Sequence, residues 1–274
     1  MIEVFETVDN EVGPWGQQVN GRAVKSAERT LAVFELFSIH QRPMTVGQIA
    51  RHLDIPQPSA TMLLRNLMTL GYLEYQTATR CYLPTLRIML LGSWIHRRFK
   101  LALNIEERLA DLVGRLDESV LLGIQNGMFS QYISALSPEQ PERLEVQSGM
   151  LRPITRTAVG QMLLSQKTDA EVSLIVRRCN AEMESCFRVD PDTFLERIRQ
   201  TRARAYAETC GDMREGFGVL AVLLPSLVGS IPVVIGIGGA SERIARKRTE
   251  ILGALFDLQQ ELALAYQSSD QIAA

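Results

Sequence analysis

Between Val24 and Leu83 the spacing of apolar residues changes several times, and each change marks an element. Leu31, Phe34 and Leu36–Phe37 fall at helical spacing, with Ser26 placed to cap the helix and Pro43 closing the connection after it. Thr45 caps a second, short helix from Val46 to Leu53, with Ile49, Ala50 and Leu53 on one face. Asp54-Ile55-Pro56 reads as a turn. A third helix then runs from Gln57 to Leu70, with Leu63, Leu64, Leu67 and Leu70 inward and Gly71 as its stop. Two β-like runs, Tyr72–Tyr75 and Cys81–Leu83, flank the polar turn from Gln76 to Arg80. Three helices followed by a small hairpin give the plan of a winged helix-turn-helix over Lys25–Leu83.

The pattern beyond it is of another kind. Leu86 to about Leu101 is helix-compatible with a basic end (Arg97, Arg98, Lys100), and a helix follows from Asn104 to Leu116. Strand-like runs occupy Ser119–Gln125, Phe129–Leu136 and Arg143–Val146. Helices are expected at Thr157–Ser165, Asp169–Arg178 and Asp192–Ala203, the last capped from Asp190-Pro191. Strands at Phe217–Leu224 and Pro232–Ile237 precede a closing helix, Ser241 to Tyr266. Hairpin strands beside segregated helices indicate an α+β domain. The expected organisation is an extension at 1–21, the winged module at 22–84, a linker helix at 85–103 and an α+β domain at 104–268. Val219–Ala240 carries no charge and has the length of a membrane span, but Pro225-Ser226 and Gly229-Ser230-Ile231-Pro232 divide it. Two buried strands joined by a turn account for it better.

A chain of 274 residues has room for two cores. Its net charge of −2 is uninformative, but the distribution is not. Residues 20–100 hold eleven Lys/Arg against four Asp/Glu, a net of +7; residues 1–19 carry −4 and 101–274 carry −5. A basic module joined to an acidic one fits a phosphate-binding domain plus a domain with another task. On the third helix Gln57, Ser59, Ala60, Thr61, Met62, Arg65 and Asn66 remain after the apolar face is assigned, and they suit base edges and phosphates. Lys25 belongs to the same basic module, and Arg51 and Arg80 are natural phosphate contacts. A winged module used for protein contact alone is the alternative, and the basic excess argues against it.

Other signals are weaker. Cys81, Cys179, Cys186 and Cys210 are scattered without a CxxC, which suits a reducing cytoplasm and indicates neither a disulfide framework nor a zinc site. The N-terminus has no apolar h-region. Gly236-x-Gly238-Gly239 lacks the full dinucleotide fingerprint and reads as a structural turn. His40, His52 and His96 stand isolated in the sequence, and no cofactor or metal is called for. A second functional class stays open: a thiol-dependent enzyme or redox sensor using Cys179, Cys186 or Cys210, with the winged module as an accessory.

Three segments carry a family resemblance: Val24–Leu31, Met44–Ala50 and Leu63–Leu73. Together they resemble the DNA-binding domain of IclR-type bacterial transcriptional regulators. The resemblance departs at Pro58 and Met62, positions that face or approach DNA, so no operator sequence carries over. Leu151–Leu164 and Gly236–Ile244 resemble the pocket segment and the last strand and helix of the family's GAF/PAS-like effector domain, an antiparallel sheet cupping a small organic acid. The resemblance implies that backbone amides near Thr157, Ala158, Val159 and Gly160 receive the effector's carboxylate, with Thr155 in the same segment. It also places Thr209, Val219, Gly236 and Gly238 where relatives of the glyoxylate and pyruvate type have Asp, Cys and two Ser. Fewer polar groups and two glycines imply a larger, more apolar pocket and an effector such as an aromatic or longer aliphatic carboxylate. The partners implied are double-stranded operator DNA, the effector and further copies of the chain, as a homodimer or tetramer.

Overall fold

Where the chain was expected to make one helix-rich basic module and one α+β module, a computed structural model describes residues 24–94, 105–138, 146–225 and 231–272, dividing into two units at residue 96. The readings for 1–21, Arg22, the linker at 95–103 with His96, the strand at 143–145 and the turn at 226–230 lie outside the described residues.

In the first unit, α1 (Lys25–His40), α2 (Val46–His52) and α3 (Gln57–Thr69) pack with a small antiparallel sheet ordered β1-β3-β2. Its strands are β1 (Met44–Thr45), β2 (Leu73–Gln76) and β3 (Cys81–Pro84), so Met44–Thr45 adds a strand to the expected hairpin. Val33, Leu36, Phe37, Met44, Ile49, Leu64, Leu67, Leu73 and Tyr82 form the core. Each fully buried aliphatic side chain there contributes about 1.5–3 kcal/mol. Two apolar positions expected inside, Leu31 and Leu70, are exposed, because α1 turns Val33 rather than Leu31 inward and α3 ends at Thr69. Ser26 does not cap α1; the helix starts from Val24 without a side-chain cap, and the Ser26 carbonyl accepts from Thr30 Oγ1. Gly71, at φ +77°, closes α3 as expected, and the Tyr72 amide returns to the Leu67 carbonyl. The helix α4, described over 87–94, follows the wing. Thr85 Oγ1 donates to the Gly71 carbonyl at 2.7 Å, and the Arg87 guanidinium covers the Tyr72 ring at 4.8 Å.

The second unit is built on a six-stranded antiparallel sheet ordered β6-β5-β4-β9-β8-β7. The strands are β4 (Ser119–Asn126), β5 (Phe129–Leu136), β6 (Leu151–Pro153), β7 (Ala207–Cys210), β8 (Phe217–Leu223) and β9 (Val234–Ala240). Leu122, Leu220, Val222, Ile235 and Ile237 face one core with α5 (Ile105–Leu116), α9 (Ser241–Arg246) and α10 (Arg248–Ile272). Leu121, Ala221 and Val234 face the other with α6 (Ala158–Leu164), α7 (Asp169–Glu182) and α8 (Pro191–Arg204). Helices on both faces explain why Val219–Ala240 reads as one apolar run: its two ends belong to β8 and β9, which are buried on both sides. No described helix is long and apolar enough to cross a membrane.

The sheet corrects several expectations. β6 and β7 were not anticipated as strands. Gly236, Gly238 and Gly239 lie inside β9 and not in a turn. A β-carbon on Gly239 would stand 2.1 Å from Glu118 Oε2, so this glycine makes room for a fully buried carboxylate. Glu118 accepts from Arg243 Nε at 2.8 Å and pairs with Lys247 at 3.4 Å. Lys247 Nζ also donates to the Leu116 carbonyl at 2.6 Å. The expected single closing helix is divided at Lys247 into α9 and α10, where this cluster holds it.

Candidate functional site

The helix-turn-helix is fixed by local chemistry. Thr45 Oγ1 accepts from the Gln48 amide at 3.3 Å, and Gln48 Oε1 accepts from the Thr45 amide at 2.9 Å, a reciprocal cap that sets the start of α2. Asp54 turns the chain at φ +47°, and Pro56 leads into α3 with Pro58 in its first turn. Ala60, Leu64 and Leu67 hold α3 against the core. That leaves Gln57, Pro58, Met62, Arg65 and Asn66 exposed, with Ser59 and Thr61 half-buried beside them. Met62 is 75% exposed, the most open large apolar side chain on this helix. Thr61 Oγ1 donates to the Gln57 carbonyl at 2.9 Å, so it offers an outside partner its acceptor lone pairs and methyl group. Lys25, Arg51 and Arg80 are all exposed, at the start of α1, near the end of α2 and at the wing tip. Arg80 sits at φ +55°, a conformation that strains a side-chain-bearing residue. Ala60, expected among the outward residues, is buried.

Two titratable features of this unit escaped the sequence. His40 and His52, isolated by spacing along the chain, meet with ring centroids 4.7 Å apart. Burial, then His52 and Arg42, hold the His40 imidazole below its ordinary range. Burial also pushes the Glu35 carboxyl up to about 7.

In the second unit the expected effector residues fall into two groups. Thr157 caps α6, accepting from the Gly160 amide at 2.9 Å, and its hydroxyl meets Ser130 Oγ at 2.9 Å. Gly160 is required by space: a β-carbon there would stand 1.9 Å from the Ile154 carbonyl oxygen. Thr155, in the 3-10 turn Ile154–Arg156, is buried, and its Oγ1 has no partner among the described residues. The other group lies across the sheet, where Thr209, Val219 and Gly238 align in one row of β7, β8 and β9. Val159 joins the groups, since its Cγ2 lies 3.3 Å from the β-carbon position of Gly236. Ala158 is buried beside it in α6.

This packing corrects the expected hollow at Gly236. Leu121 Cδ1, Val159 Cγ2 and Val219 Cγ1 lie 2.9, 3.3 and 3.3 Å from the β-carbon position, so side chains take up the space the glycine releases. The structure also brings in residues that sequence spacing did not mark. Ser130 reaches the α6 cap, and Tyr132 and Arg152 stand beside it on β5 and β6. Burial pushes the Tyr132 phenol up to about 12 and holds the Arg152 guanidinium below its ordinary value. Strand register alone pairs Ser130 with Arg152, and periodicity does not mark β6 as a strand.

The thiols do not gather. Cys179 is buried in α7, its thiol pushed up to about 12 by burial, while Cys186 and Cys210 are exposed on a 3-10 turn and on β7. Among the described residues no three metal-ligating side chains cluster.

Comparison with known proteins agrees with both units. Residues 26–77 match the IclR helix-turn-helix domain, and residues 96–263 match the bacterial transcriptional regulator IclR C-terminal domain. The chain is 25% identical over 241 residues to the glycerol operon regulatory protein of Streptomyces coelicolor, covering 86% of this chain and 94% of that one. It is 23% identical over 227 residues to the Pca regulon regulatory protein of Pseudomonas putida, covering 82% and 77%. An IclR homolog from Microbacterium hydrocarbonoxydans, solved in complex with 4-hydroxybenzoate, shares the fold at a TM-score of 0.73 and 14% identity, over 89% of this chain and 99% of that one. Because the matched family is one of transcriptional regulators, the thiol-dependent enzyme is set aside. The chain belongs to the IclR family, and it is a DNA-binding transcriptional regulator with a helix-turn-helix and a C-terminal antiparallel-sheet domain.

Proposed function

We propose that this regulator controls a catabolic operon in the bacterial cytoplasm, binding operator DNA as a dimer or tetramer and changing its hold when a small organic acid occupies the second unit. The observation that carries the reading is the outer face of α3, where Gln57, Pro58, Met62, Arg65 and Asn66 stand exposed within the basic stretch 20–100 of net charge +7. Such a face suits the major groove, with Ser59 and Thr61 beside it and Lys25, Arg51 and Arg80 on phosphates. Met62 supplies an apolar contact for a thymine methyl group, and Arg65 a charged contact for guanine or phosphate.

One winged module reads few base pairs, so two copies on a pseudo-palindrome are needed for selectivity. Leu86, Met89, Leu90, Leu91 and Trp94, all exposed on and just before α4, offer an apolar surface for a second copy to cover.

For the effector, the acid's carboxylate is placed at Thr157–Gly160, where the Ala158 and Val159 amides have no acceptor within α6. The unpartnered Thr155 hydroxyl and the row Thr209, Val219, Gly238 surround the acid's apolar body, while Gly236 is covered by Val159 and Val219. The names of the glycerol operon and Pca regulon relatives, and the 4-hydroxybenzoate held by the Microbacterium homolog, support catabolic control and an organic-acid effector. An acid that binds one arrangement of the chain better than another shifts the population that fits the operator.

The test is a gel shift of DNA from upstream of the chain's own gene, repeated with 4-hydroxybenzoate, benzoate and hexanoate. Retarded DNA whose affinity changes with one acid supports the reading. No retardation at low salt contradicts the DNA part, and retardation indifferent to every acid contradicts the effector part.

A further inference from the structure

The Arg152 side chain makes no ion pair and no hydrogen bond with any other described residue, although it is half-buried on β6. Its register partner is Ser130 on β5, and antiparallel partners project from the same face of a sheet. Tyr132, two residues along β5, shares that face. Contacts identify it as the face that α6 covers. Ser130 Oγ meets Thr157 Oγ1 at 2.9 Å, and Tyr132 Cδ1 lies 3.4 Å from the β-carbon position of Gly123, against which Val159 also packs. Arg152, Ser130, Tyr132 and the cap of α6 therefore converge at one edge of the sheet, and the unpartnered, fully buried Thr155 hydroxyl belongs to the same turn.

A guanidinium drawn partly out of water without an anion costs free energy that a folded chain recovers only when a partner arrives. Burial already disfavours its charge, and the neighbour that faces it, Tyr132, is a neutral phenol. The geometry points to Arg152 as the side chain that receives the anionic group of the effector, a carboxylate engaged by the planar guanidinium fork with the Tyr132 ring walling the acid's apolar body. This assignment rests on the proposed effector function and adds a residue that the resemblance did not supply.

The test measures the full-length chain with Arg152→Gln and Arg152→Lys variants. Calorimetric titration uses benzoate, 4-hydroxybenzoate and hexanoate, with benzamide as the uncharged counterpart of benzoate, and the thermal midpoint of each unliganded protein is recorded. Arg152→Gln is expected to weaken acid binding about tenfold or more, to leave any benzamide binding unchanged and to keep the unliganded midpoint at or above that of the parent. Arg152→Lys, which keeps the charge and loses the fork, is expected to fall between the two. Acid binding unchanged by Arg152→Gln overturns the assignment and leaves the effector reading standing. A lowered midpoint with acid and benzamide weakened alike shows a structural role and also overturns it. No heat for any acid with the parent chain overturns both.

Discussion

Val159 Cγ1 lies 2.6 Å from the point where Gly123 would carry a β-carbon, so the seat of α6 on the sheet depends on a strand residue having no side chain. The neighbouring strand gives the same answer, with Val159 Cγ2 at 3.3 Å from the β-carbon position of Gly236. Gly123→Ala should destabilise the second unit by about 1–3 kcal/mol, and adding Val159→Ala should return most of that loss. Denaturant melts of the two single variants and the double variant check this. Additive losses would show that the two positions do not share the space.

The reciprocal cap between Thr45 and Gln48 makes a separate claim about the first unit. Thr45→Ala should cost about 1 kcal/mol of its stability, whereas Thr45→Ser should be nearly neutral because the hydroxyl acceptor is kept. Equal losses for the two variants would assign the effect to the methyl group and β-strand pairing instead.

The Thr45 cap is legible in the amino-acid sequence, because a threonine ahead of an apolar run is a local signal. So are α3, β4, β5, β8 and the cap of α8 at Asp190, whose side chain accepts from the Thr193 amide at 2.9 Å. What escapes depends on partners distant in sequence. Met44–Thr45 is a strand because β3 pairs with it, and Ala207–Cys210 is a strand because β8 does. Periodicity puts Leu31 inside, but it cannot distinguish a core from a surface awaiting a partner. The resemblance marks Gly236 as space for a ligand, whereas Leu121, Val159 and Val219 occupy that space. Arg152 draws no notice beside Pro153, since only the register with Ser130 gives it a setting.

Glu35 links the first unit to pH. Burial raises its carboxyl from 4.5 to about 7, so the folded unit holds a proton that the unfolded chain releases. Its stabilising contribution is complete below pH 4.5 and is lost as pH rises through about 7. Glu35→Gln should therefore gain stability relative to the parent at pH 8 and lose that advantage at pH 4.5. Urea melts at the two pH values measure the difference, and an advantage independent of pH would contradict it.

His40 acts in the opposite sense. Burial, His52 and Arg42 lower its imidazole below 6.5, so the unfolded chain takes up a proton first and stability falls as pH drops below 6.5 through the folded value. His40→Gln should flatten this acid-side loss, measured by urea melts between pH 5 and 7. Because Glu35 opposes it over the same interval, the comparison is made in a Glu35→Gln background. A slope unchanged by His40→Gln would contradict the pairing's role.

The most direct test of α3 as the reading helix is the salt dependence of binding to a duplex from upstream of the chain's own gene, for the parent, Arg65→Ala and Met62→Ala. Parent affinity should fall linearly on a log–log plot against salt, and Arg65→Ala should lower the slope by about 1. Met62→Ala should keep the slope and weaken binding according to base sequence. Binding absent at low salt, or a slope and sequence preference unmoved by both substitutions, would contradict the assignment of α3 to the major groove.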